Sequence, residues 1–153
     1  MVRAIVGVIV GWLVSVACVF IGLAAAWMVL GASFAYEEGT LNVTVGWCAI
    51  ALGVGLVAAI LAGLVTALIA PSPRRTPVKV LAVLILVLGL ANAVGYAFVD
   101  RPDAEPSKPV EEMTMADAIR ESVSPNWFNF ANALVGFVGV LIGGGIRPRP
   151  SAE

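Results

Sequence analysis

The feature that most constrains this chain is its first apolar run, in which no charged residue lies between Arg3 and Glu37. A helix needs about 20 apolar residues to cross a hydrocarbon core of about 30 Å, and three later runs are also long enough. The predicted spans cover residues 5–34, 43–70, 79–99 and 125–146. Backbone in lipid must satisfy its hydrogen bonds internally, and the runs are continuously apolar rather than alternating. The sequence therefore predicts an all-α polytopic membrane protein, with four transmembrane helices in one small bundle.

The composition fits a lipid environment and narrows the chemistry available. Sixty per cent of residues are apolar and 12% are charged, whereas a soluble domain averages about 25% charged. The chain has no histidine, which excludes His-ligated metals and His general bases. Cys18 and Cys48 lie inside apolar runs and are too few for a disulfide scaffold. The net charge of −1 gives no reason to expect nucleic acid. We therefore assign no catalytic residue, metal ligand or cofactor.

The basic residues that lie close to the spans indicate the orientation. Six of them fall on one side of the predicted membrane: Arg3, Arg74, Arg75, Lys79, Arg147 and Arg149. Lysine and arginine in short loops favour the cytoplasm. Both termini are therefore predicted to be cytoplasmic, while nine of the ten acidic residues lie on the opposite side. The alanine-, valine- and glycine-rich composition favours a bacterial cytoplasmic membrane.

The long extracytoplasmic loop, residues 100–124, is predicted to contain a short amphipathic helix at 114–123. Thr114 is its expected cap, with Asp117 three residues later completing a box-like first turn. Its apolar face would carry Met115, Ile119 and Val123. Three aromatic residues at span ends are expected in the interfacial belt: Tyr36, Trp47 and Trp127.

Each span carries a stripe of small or polar residues at helical spacing. In the first span these are Gly7, Gly11, Ser15, Cys18, Gly22 and Ala26. In the second they are Ala51, Gly55, Ala59, Gly63 and Ala67. In the third they are Ile85, Gly89, Asn92 and Tyr96, and in the fourth Asn129, Asn132, Gly136, Gly139 and Gly143. Small residues let membrane helices approach closely. The stripes predict packed helices, either within one chain or between copies, so the expected partners are lipids and either another protein or a homo-oligomer.

A polar cluster in the third and fourth spans is the one site that the sequence suggests. At 1.5 Å of rise per residue, Asn92 and Asn132 should reach a similar depth in the outer leaflet. Tyr96 and Asn129 should pair one turn nearer the surface. We interpret this two-rung ladder first as structural, because interhelical hydrogen bonds are common in membranes. The alternative is a polar pocket for a lipid head group, a small ligand or a partner helix.

Three classes of function remain open from the sequence. The first is a non-enzymatic structural, accessory or interaction subunit, which suits spans that carry no ionised residue. The second is a small oligomeric permease or channel. The third is a lipid-acting enzyme that works through outer-loop carboxylates, for which the candidates are Asp100, Asp103, Glu111 and Glu112.

Overall fold

The structure of this chain is a computed structural model that describes residues 2–38, 40–70, 75–98, 112, 114, 116–117 and 121–146. Its helices are α1 (Val2–Leu30), α2 (Ala32–Ala35), α3 (Val45–Ile69), α4 (Arg75–Ala97) and α5 (Asn126–Gly145). All except α2 are long and apolar enough to cross a membrane. The predicted all-α architecture with four candidate spans is confirmed, and the chain is an integral membrane protein.

The first predicted span, 5–34, is wrong at its end because the helix breaks at Gly31. This glycine adopts φ 73° and ψ 174°, a conformation that residues with a side chain rarely adopt. Its N–H still donates to the carbonyl of Trp27 at 2.9 Å, so this carbonyl in the last turn of α1 keeps its hydrogen bond. The four residues of α2 then turn the chain toward the next span.

The other spans begin within a few residues of the predicted positions. Thr44 caps α3 by accepting a hydrogen bond from the Trp47 amide at 3.1 Å. The third span begins at Arg75 instead of 79, because Pro77 falls in the first turn, where no amide hydrogen is needed. The fourth begins at Asn126, one residue later than expected, with Pro125 as its cap.

The helices alternate in direction, which gives the bundle two different ends. Arg3, Arg75 and Lys79 lie at one end, called here the basic end. The other, called here the cap end, holds residues 31–44 and 121–125. Around the bundle α3 packs between α1 and α5, and α4 packs chiefly against α5. The last turn of α5 and the first turn of α4 meet where Gly144 lies against the Val78 side chain.

The small-residue stripes of the spans meet one another within this single chain. A Cβ added at Gly139 would lie 2.7 Å from that of Ala59, and one added at Gly63 would collide with the Val140 carbonyl. The α3 and α5 backbones therefore touch along their predicted faces. On the other side of α3, Thr66 is fully buried, and its hydroxyl donates to the Gly7 carbonyl at 3.1 Å. The sequence did not decide whether the stripes pack within one chain or between copies. In the structure these α3–α5 and α1–α3 contacts are made within one chain.

The predicted loop helix, 114–123, lies largely outside the described residues. Its first turn is described in part, and there Thr114 and Asp117 form the expected reciprocal cap. The Asp117 amide donates to the Thr114 hydroxyl at 3.3 Å, and the Thr114 amide donates to the Asp117 carboxylate at 3.1 Å. Ala116, Asp117 and Glu121 are helical.

Candidate functional site

The cap end is closed by a small backbone platform that the sequence did not predict. Residues 36 and 43 pair as an antiparallel bridge, and residues 42 and 123 pair as a parallel one. The Val43 amide donates to the Val123 carbonyl at 3.0 Å, and the Val123 amide donates to the Leu41 carbonyl at 2.9 Å. This platform joins the α2–α3 connection to the segment before α5.

Two of the four residues in the predicted polar cluster anchor this platform to α4 and α5. The Ser124 amide donates to the Tyr96 hydroxyl at 2.8 Å, which ties the segment before α5 to the last turn of α4. The Asn129 side-chain amide donates to the Ser124 hydroxyl at 3.4 Å. Tyr96 and Asn129 therefore act through Ser124, a residue that the predicted ladder did not include.

The other two residues, Asn92 and Asn132, do not form the predicted rung. Both are exposed, and no hydrogen bond joins their side chains within the described part of the chain. The Asn132 Oδ1 lies only 3.1 Å from where a Cβ on Gly55 would be, so this amide turns toward α3 instead of α4. Their depth is similar, because Asn92 lies about 8 Å and Asn132 about 9 Å from the cap ends of α4 and α5.

A cavity of about 200 Å³ lies under the platform, between α1, α3 and α5. Its walls are mostly apolar and aromatic, with a few hydroxyl groups at one side. The lining residues are Leu23, Trp27, Ala35, Tyr36, Val43, Trp47, Ala51, Ser122, Ser124 and Phe128. Ligand sites are typically concave and apolar with a few convergent polar groups, so this cavity is the candidate binding site.

The Trp27 ring stands nearly perpendicular to two other aromatic rings of the cavity. The Trp27 ring centroid lies 6.2 Å from that of Tyr36 at an interplanar angle of 77°. It lies 5.8 Å from that of Trp47, at 83°. Such edge-to-face pairs are the favoured aromatic geometry. The Trp27 ring therefore forms one corner with Tyr36 and another with Trp47. We call these three rings the aromatic box, and Phe128 lines the α5 side of the same cavity.

Tyr36 brings a neutral hydroxyl into this box. Its residue is only 4% exposed, and burial raises the pKa of its phenol above the ordinary value. The Ser122 side chain lowers this pKa, while the Glu121 carboxylate raises it further. The phenol is therefore protonated at neutral pH, and a negative charge lies close to it. Of the aromatic residues predicted for the interfacial belt, Tyr36 is buried within the protein, whereas Trp127 is 48% exposed at the start of α5.

Comparisons with protein-family models, with curated proteins and with solved structures found no match to this chain. Among the described residues, no group of three or more Cys, Asp or Glu side chains is placed to hold a metal ion. Of the four carboxylates considered for lipid chemistry, only Glu112 lies within the described residues, and it is exposed. The geometry of the cap end is thus the basis for a functional interpretation.

The sequence does not reveal the cavity, because its walls come from separate segments of the chain. A usable signal existed in the clustering of aromatic residues near one end of three spans, at Trp27, Trp47 and Phe128. Turning that signal into a cavity required the break at Gly31, which carries Tyr36 back over the bundle.

Proposed function

We propose that this chain is a non-enzymatic interaction subunit of a membrane assembly. The observation that carries this proposal is the exposed amide of Asn92, which lies within the apolar length of α4. In the proposed assembly a polar group on a helix of another protein hydrogen-bonds this amide. The membrane lipids cover the remaining apolar surface.

The short side chain of asparagine holds its amide in the apolar layer, where it needs a hydrogen-bond partner. Leaving an amide in an apolar medium without a hydrogen bond costs about 1–3 kcal/mol by mutational data. Lysine and arginine escape this cost by reaching the interface with long side chains. Asn92 cannot do so across the roughly 8 Å that separate it from the end of α4. An interhelical hydrogen bond worth about 0.6–2 kcal/mol would offset much of the cost.

The small-residue stripes are used inside the bundle, so a partner is expected to bind at Asn92 and not at a glycine face. Gly63, Gly139 and Gly143 are already in contact with neighbouring helices of the same chain. They are therefore not free to build the homo-oligomer that the sequence left open. The exposed side of α4 remains available to a partner, and on it Leu88 lies one helical turn from Asn92.

We also propose that the basic end faces the cytoplasm of a bacterial cell and that both termini lie there. Arg3, Arg75 and Lys79 at the basic end support this orientation through the bias of basic residues toward the cytoplasm. Glu37, Glu38 and Glu121 lie at the cap end, which would then be extracytoplasmic.

Site-specific photo-crosslinking tests the interaction. A benzophenone side chain replaces Asn92 in one variant and Val87 in a control variant, both in intact membranes. Val87 is an exposed residue of the same helix, 57% accessible and turned away from Asn92 by the helical repeat. We expect one discrete protein adduct from position 92 and none from position 87. Lipid adducts alone at both positions would refute the proposal.

The mass of the adduct separates this proposal from its main alternative. An adduct at twice the mass of the 15.8 kDa chain would identify a second copy and favour the oligomeric permease or channel. Flux of ions, water or neutral solutes into liposomes that contain the purified chain then tests that alternative directly. An adduct of any other mass identifies a different subunit.

A further inference from the structure

We propose that the cavity at the cap end binds a quaternary ammonium group, as found in choline, betaines and choline-type lipid head groups. The first support is the aromatic box itself. Trp27, Tyr36 and Trp47 line one cavity, and the Trp27 ring is nearly perpendicular to each of the other two. Aromatic rings attract cations placed over their faces, tryptophan most strongly, and boxes of such rings recognise methylated ammonium ions.

The size of the cavity limits the ligand to a small group. Pockets for drug-sized ligands measure about 300–1,000 Å³, and this one has about 200 Å³. A head group fits this space, whereas the acyl chains of a lipid would have to remain outside. The cavity lies where α1 ends and α3 begins, which is the level at which a lipid head group would be found.

The charge around the cavity favours a cation over an anion. Every charged side chain described at the cap end is acidic: Glu37, Glu38 and Glu121. Glu121 directly precedes Ser122, which lines the cavity. Charges of one sign around a cleft concentrate ligands of the opposite sign. A negatively charged or strongly polar ligand would meet both repulsion and apolar walls.

The small number of polar groups distinguishes a quaternary from a primary ammonium ion. A primary ammonium carries three N–H donors, each of which needs an acceptor once it leaves water. The polar side chains of the wall are Tyr36, Ser122 and Ser124, and Ser124 already accepts a bond from Asn129. A quaternary nitrogen has no N–H group, so it needs only the rings and the nearby carboxylate.

Tryptophan fluorescence provides the test, in the full chain purified in a maltoside detergent that lacks choline. Trp12→Phe and Trp127→Phe remove the two exposed indoles and leave Trp27 and Trp47 as reporters. Choline is titrated against its neutral isostere 3,3-dimethylbutan-1-ol, which has the same shape without the charge. We expect saturable quenching by choline with at least tenfold higher affinity than for the alcohol. Absence of saturation, or equal affinity for both, would overturn the proposal.

Two further variants test the rings and the charge separately, and the second does so without changing the packing. Trp47→Leu should abolish choline binding, but it also removes a packed ring. Glu121→Gln preserves shape and should weaken choline binding about threefold, with no change for the alcohol. An equal effect on both ligands would contradict the role given to the charge.

The source of the ammonium group is resolved in lipid nanodiscs. If the site takes a lipid head group, phosphatidylcholine should compete and weaken choline binding relative to phosphatidylglycerol discs. Equal affinity in both discs assigns the site to a free ligand. This binding needs no partner subunit, so its failure would leave the interaction proposal untouched.

Discussion

The closest approach in the bundle is made at single glycines of α3 and α5. A methyl group added at Gly143 would collide with the Ile60 carbonyl, and one added at Gly63 would collide with the Val140 carbonyl. Such contacts between two backbones gain dispersion energy along the whole helix face. By contrast Gly53, also within α3, has no atom within 4 Å of the position of a Cβ.

This contrast gives a prediction with a matched control. Replacing a helical glycine with alanine normally stabilises a helix by up to about 1 kcal/mol. We expect Gly53→Ala to show that gain or no change. Gly143→Ala should instead lose about 1–3 kcal/mol, because the two helices must separate to admit the methyl group. Unfolding in mixed micelles with increasing SDS measures both, and equal stability of the two variants would contradict the packing described here.

At this scale the sequence predicted which faces are used but not which atoms meet. The spacing of Gly55, Ala59 and Gly63 indicated a packing face, since small residues at such intervals allow close approach. It did not indicate that Asn132 would turn toward Gly55 rather than toward Asn92. Depth follows from counting residues along a helix, whereas the direction of a side chain depends on the rotation of each helix about its axis. That rotation is set by packing across the whole bundle.

The connection between α1 and α3 is more than a simple turn between two helices. Gly31 ends α1 early, Thr44 caps α3, and the residues between them fold back over the cap end. Thr40 and Asn42 also belong to the residue types that cap helices, but both lie in the preceding turn. The Asn42 amide donates to the Thr40 hydroxyl at 3.2 Å. Several polar residues in a row leave the capping residue undetermined until the rest of the loop is placed.

The bond between the Tyr96 hydroxyl and the Ser124 amide, 2.8 Å long, should determine how firmly the platform is held to α4. Tyr96→Phe removes the acceptor and leaves that amide without its partner, and a typical loss is about 1 kcal/mol. Ser124→Ala keeps the amide and loses only the 3.4 Å bond from Asn129, so its effect should be smaller. SDS-induced unfolding compares the two, and amide hydrogen exchange at residue 124 should be faster in the Phe variant alone. Indistinguishable exchange would mean that the phenol does not hold the segment.

The asymmetry between the two ends is the main property of the whole molecule. The basic end holds a core of alanines with Val78, Leu81 and Val140, and the cap end holds a second core around Tyr36 and Cys48. From charge, the sequence predicted that Arg3, Arg75 and Lys79 lie on one side, and the structure places these residues at one end of the bundle. The sequence did not predict the cap-end core, whose buried residues Leu41 and Val43 belong to a segment between two spans.

Chemical labelling of single cysteines tests the orientation that follows from this asymmetry. Glu38 is exposed at the cap end and Ile146 is 56% exposed at the basic end, so either position can carry a reactive thiol. Cys18→Ala and Cys48→Ala supply the background. A membrane-impermeant maleimide should label Glu38→Cys in intact bacterial cells, and Ile146→Cys only after the membrane is permeabilised. The reverse pattern would invert the orientation. Labelling of both positions in intact cells would show that they lie on the same side, which the three crossings between Glu38 and Ile146 do not allow.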